Sequence, residues 1–249
     1  MTLEQIVETH RSQWLRDAAA TLTILDWRAF TDGRAMHVID ANVTGAPSGG
    51  FLGFASGCQL HEVASHVLPL SRTTRPAAAV AVNVDALVRC LRPSITSAAD
   101  EGAAIGKIRA AVAAVAAHEL AHVIEAQATG RKIPAGSTLA TVVASLADGT
   151  AYDKKHLTRV HGPEWTRAYC HLLTRASRLP HYDQWLERFC RDLHLLMPYP
   201  ADDYLDALHP ELVRYTADDL LLDIIRSPAP AGFVALFQSR DAAQPATGI

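Results

Sequence analysis

Cysteine is scarce, four residues in 249, and Cys58, Cys90, Cys170 and Cys190 form neither a C-x-x-C pair nor a regular framework. That excludes a disulfide scaffold and a cysteine-held zinc ribbon, and the four are expected to be reduced and structural. No apolar run reaches the 18 or so residues of a membrane span, because Lys107, Arg109, His118 and Glu119 interrupt the most apolar stretch. There is no long polar tract, so disorder is expected only near the ends, chiefly in the tail "SRDAAQPATGI". The opening "MTLEQIVETHRSQWLRD" lacks the basic-then-apolar order of a secretory signal, and a cytoplasmic protein is expected. No internal repeat is visible.

What remains is a globular composition, 49% hydrophobic and 20% charged, with length enough for a sizeable core. The net charge of −3 is unevenly spread. Residues 131–178 hold eight Lys/Arg against three Asp/Glu, whereas residues 179–249 hold five against eleven. A basic segment of this kind is either a solvated face or a surface for anionic partners.

Apolar residues recur at helical spacing over residues 3–30, and Asp32-Gly33 marks a turn. From 35 to about 92 the texture is short and alternating: "AMHVIDANV", "GFLGFASG", "QLHEVASHVL" and "AAVAVNVDALV" predict three or four strands, mostly antiparallel. A long helix is predicted over about 101–129, with Gly130 as its stop. Residues 131–158 read as an excursion, and a helix follows from Pro163 to before Pro180. The pattern is again helical from 181 to about 226 and dissolves at "SPAPAG", leaving 229–249 as a flexible tail. The fold expected is α+β: a domain over 1–180 with a small sheet, then a helical C-terminal extension over 181–228.

Within the long helix stands "HELAH", residues 118–122. Residues four apart on an α-helix lie 40° from one face, so His118 and His122 can aim their imidazoles at one point, with Glu119 on the adjacent row. Two neutral imidazoles can bind Zn²⁺ while the carboxylate takes a proton from the attacking water. The competing reading is a buried, merely hydrogen-bonded pair, since the same stripe carries Ile105, Ile108, Val112 and Val115. A buried glutamate between two histidines would then be costly, which favours the metal site. "HEVASH" is a decoy, because His61 and His66 are five apart, off one face of a helix and on opposite faces of a strand.

A catalytic zinc site needs a third protein ligand. Downstream candidates are Glu125, Asp148, Asp153, His156, His161 and His171. Glu125, three residues beyond His122, is expected to point elsewhere, and the metzincin continuation H-x-x-G-x-x-H is absent. His161 has the best local setting, "RVHGPEWTRAYCHLLTRA". Gly162 permits a tight entry, Pro163 suits a first helical position, and Trp165, Tyr169, Leu172, Leu173 and Ala176 form an apolar stripe. His156 competes as a ligand.

"HELAH" followed by "HGPEW" resembles the SprT-like metalloproteases (the SprT/Spartan group), in which H-E-x-x-H precedes a His-Gly-x-x-aromatic segment. The resemblance implies a zincin-like core, zinc held by His118, His122 and His161, Glu119 as general base and acid, and Trp165 as a packing aromatic. It implies a zinc metalloendopeptidase acting on protein or peptide, and that family is associated with cleaving proteins on DNA. The chain departs from it in a longer segment between the motifs, in the missing zinc ribbon, and in the acidic helical stretch after 180. In zincins a substrate strand pairs with a sheet edge, for which Ala79–Val84 is the candidate, and Tyr152, His156 and Tyr169 are candidate oxyanion donors. The alternative is a non-proteolytic zincin-fold binding or regulatory protein with a structural or covered zinc site; the intact Glu119 speaks against it.

Overall fold

The computed structural model describes residues 1–26, 36–40, 53–56, 78–129, 162–178, 201–216 and 219–243. Those residues are mostly helical: α1 (Leu3–Asp26), α2 (Val84–Thr96), α3 (Glu101–Ala128), α4 (Pro163–Ser177), α5 (Ala201–Arg214), α6 (Leu221–Arg226) and α7 (Ala231–Ala243). Three short strands accompany them: β1 (Met36–Asp40), β2 (Gly53–Ser56) and β3 (Ala78–Val82). None of the described helices is long and apolar enough to cross a membrane.

Helix α3 is the axis of the molecule. Asp100 caps its start, the side chain accepting from the Ala103 amide at 2.7 Å, which satisfies one of the free N–H groups of the first turn. Every residue from Ala111 to Ala117 is buried, so this part of the helix is covered all round. It can be, because five of those seven residues are alanines: α1, α2, α4, α6 and two strands approach it. The apolar side chains of α1 (Trp14, Ala18, Leu22, Leu25) and of α4 (Trp165, Ala168, Leu172) share one core with it.

The sheet has the order β1-β3-β2, with β1 parallel and β2 antiparallel to β3. It is therefore mixed rather than mostly antiparallel. Alternation in a strand records which face is buried, not the direction of its neighbour. The parallel β1–β3 pair needs a long crossover, and the chain between them contains β2. The edge assigned to Ala79–Val84 is also corrected: β3 pairs on both sides and is central, with Val80 and Val82 buried. Its all-Ala/Val sequence suits a strand without a solvated edge. Beyond Val82 the chain turns helical rather than continuing as a strand. Asn83 ends β3 and caps α2, its side chain accepting from the Ala86 amide at 2.9 Å. Arg11 of α1 reaches both Asp40, at the end of β1, and Asp85, in the first turn of α2, so buried Asp40 has a cation beside it.

The C-terminal region is helical, and it extends further than its sequence suggests. "SPAPAG" ends α6 and leads into α7, instead of opening a flexible tail. Phe233 and Phe237, one turn apart, are buried against Tyr204 and Leu208 of α5, together with Cys170 of α4. Residues 27–35, 57–77, 130–161 and 179–200 lie outside the described residues. With them lie the expected end of α1 near Phe30, the strand and decoy at 59–68, Gly130 and the 131–158 segment.

Candidate metal centre

His118, Glu119 and His122 sit two-thirds of the way along α3, where the helix is buried. The two imidazoles stand 5.3 Å apart between ring centroids. Zinc–nitrogen bonds of about 2.0–2.1 Å put a ring centroid about 3.2 Å from the metal, so two imidazoles on a tetrahedral ion have centroids about 5.2 Å apart. The spacing of the pair fits one ion. Both rings keep partial exposure, whereas Glu119 between them is buried. Burial pushes the Glu119 carboxyl up to about 7, against an opposing pull from His122.

Helix α4 supplies the wall behind the pair. Trp165 packs 4.7 Å from the His118 ring and 5.4 Å from the His122 ring, centroid to centroid. Its indole N–H donates to the His118 carbonyl at 3.3 Å. A helical carbonyl has a second lone pair for such a donor, so the ladder of α3 stays intact. Tyr169, one turn on, stacks on Trp165 at 4.8 Å and meets the His118 ring at 5.6 Å. Trp165 and Tyr169 are almost wholly buried. The candidate oxyanion donor Tyr169 thus stands in the aromatic wall; Tyr152 and His156 lie outside the described residues.

Glu125 does not point elsewhere. It is buried on the same face, with Oε2 3.6 Å from His122 Nδ1. Residues three apart on a helix are neighbours, and a glutamate is long enough to turn back toward the preceding turn. Its other oxygen lies beside Gly162, 3.7 Å from where a Cβ on that glycine would be. The N-cap of α4, Gly162, therefore lies next to Glu125. His161 lies outside the described residues, as do Asp148, Asp153 and His156. Among the described residues no third His, Cys, Asp or Glu joins the pair in a ligand cluster.

His171 is engaged elsewhere. It is buried on the opposite side of α4, its Nε2 2.7 Å from Glu211 of α5. Arg167 grips the same carboxylate with two bonds of 2.8 and 2.7 Å and also donates to the Ile225, Ser227 and Pro228 carbonyls. Arg175 donates to the carbonyls of Leu25, Thr216 and Asp219. Burial pushes Glu211 up, but the bonds from His171 and Arg167 outweigh it and hold the carboxyl below its ordinary value. Burial in turn lowers His171. Arg167, Arg175 and Glu211 escaped the sequence reading, since nothing local marks partners over 40 residues apart. Helix α4 thus faces the histidine pair on one side and the C-terminal helices on the other.

Comparison with protein-family models, with curated proteins and with solved structures found no match.

Proposed function

We propose that this chain is a zinc-dependent metallopeptidase with a zincin-like core. Within that class, we propose the SprT-like type. One observation carries the reading: "HELAH" and the helix opened by "HGPEW" lie far apart in sequence, yet Trp165 of the second packs on both imidazoles of the first. The start of that helix beside Glu125 also supports His161 as third ligand, because one trans peptide spans about 3.8 Å between Cα atoms.

In this reading His118, His122 and His161 hold the ion, which supplies a Lewis acid for the scissile carbonyl and acidifies water. Glu119, held one row aside from the ligands, accepts a proton from the attacking water and returns it to the leaving amine. Its burial keeps bulk water from competing for that proton. The Trp165–Tyr169 wall holds the two α3 imidazoles in place from behind. An extended peptide would pair with β2, a border strand of the described sheet that packs on α3.

Protein or peptide is the substrate proposed, rather than a DNA-bound assembly. Two of the eight cations in the basic 131–178 segment, Arg167 and Arg175, are buried against α5, α6 and backbone carbonyls, out of reach of phosphate.

Zinc titration of the full chain tests the reading. Near-stoichiometric binding is expected, and His161→Ala should weaken it far more than His156→Ala or Asp153→Ala. Glu119→Gln should keep zinc and lose hydrolysis of a quenched-fluorescence peptide library. Equal losses for the three ligand candidates would discard His161, and an active Glu119→Gln would discard the mechanism.

A further inference from the structure

We infer that Glu125 is a positioning residue for this centre, a carboxylate behind His122 that decides which imidazole nitrogen faces the metal. The inference rests on the zinc reading of the same site. A neutral imidazole carries one N–H and one lone pair, and a metal takes the lone pair. An ionised carboxylate only accepts, so beside Nδ1 it selects the tautomer with Nδ1–H and leaves the lone pair on Nε2 for the ion. Glu125 stands in that place, with Oε2 3.6 Å from His122 Nδ1. That is an ion-pair distance rather than a hydrogen bond, at which the carboxylate still favours the tautomer that turns N–H toward it.

The same carboxylate bears on the second motif. Its Oε1 lies against Gly162, the N-cap of α4, which has no side chain with which to cap the helix. A helix N-terminus carries partial positive charge and favours a carboxylate beside it. Buried Glu125 therefore has the His122 ring on one side and the start of α4 on the other, where the Glu164 carboxylate also lies close to Gly162. It stands between His122 and the N-cap of α4. An ordinary i, i+3 surface pair would be exposed and would touch only its own helix.

Chelator competition for Zn²⁺ on the full chain, with ¹⁵N imidazole spectra of the metal-free protein, tests this. Glu125→Ala should weaken zinc about 10- to 100-fold, as loss of an outer-shell carboxylate does. Glu125→Gln should recover most of that, since its amide oxygen still accepts from Nδ1–H, and His122→Ala should lose far more. The metal-free spectra should show His122 protonated at Nδ1 in the parent and Gln variant, and shifted toward Nε2–H in Glu125→Ala. If the alanine variant does not fold, Glu125→Asp, which withdraws the carboxylate by one methylene, replaces it in the same comparison. Unchanged affinity in Glu125→Ala, with zinc still lost in His122→Ala, overturns the inference and leaves the zinc reading standing. A loss matching His122→Ala without rescue by Gln also overturns it, because Glu125 is then a ligand. No zinc binding by the parent removes the zinc reading and the inference with it.

Discussion

Replacing Glu211 by glutamine tests how the C-terminal helices are held to the core. The change is close to isosteric and removes one charge. In the parent, Glu211 accepts from Arg167 Nε and Nη2 and pairs with His171, and all three side chains are nearly inaccessible. A glutamine keeps one acceptor oxygen and turns an NH₂ toward the guanidinium, where donor meets donor. Arg167 stays buried, still donating to the Ile225, Ser227 and Pro228 carbonyls and to the Ser227 hydroxyl. Breaking a buried pair from one side costs about 3–5 kcal/mol, and the remaining carbonyl bonds place the expectation near the lower end, about 3 kcal/mol. With a urea m-value of roughly 2–3 kcal/mol/M, the denaturation midpoint should fall by about 1–1.5 M at pH 7.

The same variant has a pH signature. Glu211 is held below its ordinary value of 4.5 when folded, so the unfolded chain binds the proton first. Its stabilisation is complete above 4.5 and fades as pH falls through the lower folded value. His171 is likewise lowered from 6.5, and the unfolded chain takes up that proton first as pH falls below 6.5. The parent should therefore lose stability in two windows on acidification. Glu211→Gln abolishes the lower one, so the gap between the two proteins should narrow below pH 4.5. A gap that does not change with pH, or a cost under about 1 kcal/mol at pH 7, would refute the reasoning, since removal of a partner from a buried pair costs more.

Trp165→Ala removes a fully buried indole between the two motifs and should cost about 3–5 kcal/mol in chemical denaturation. It should also weaken zinc; a stability loss at unchanged zinc affinity would separate the indole from the site. Phe237→Ala should cost about 3 kcal/mol, because the ring stacks on Tyr204 at 5.0 Å in the C-terminal cluster. Truncation after residue 229 should lower the melting temperature further, and an unchanged melting temperature would make α7 the dispensable tail that its sequence suggests.

Wherever a local signal exists, it was legible in the chain. Helical spacing over about 101–129 and Gly162-Pro163 before an apolar stripe announce α3 and α4, because periodicity and helix entry involve residues within a turn or two. The placement of His118, Glu119 and His122 follows from the same helical period. Strand direction, the central position of β3 and the burial of Phe233 and Phe237 were not legible, since each depends on a partner distant along the chain.

By itself, then, the sequence determined a helix with two imidazoles on one face and a carboxylate on the adjacent row, as a consequence of 3.6 residues per turn. Only the tertiary structure decided what surrounds that helix. It set Trp165 and Tyr169 behind the pair, turned Glu125 toward His122, and committed Arg167 and His171 to Glu211 on the far side of α4. Those contacts join residues as far as 47 apart, and packing selects among them through burial and charge pairing that no local pattern records.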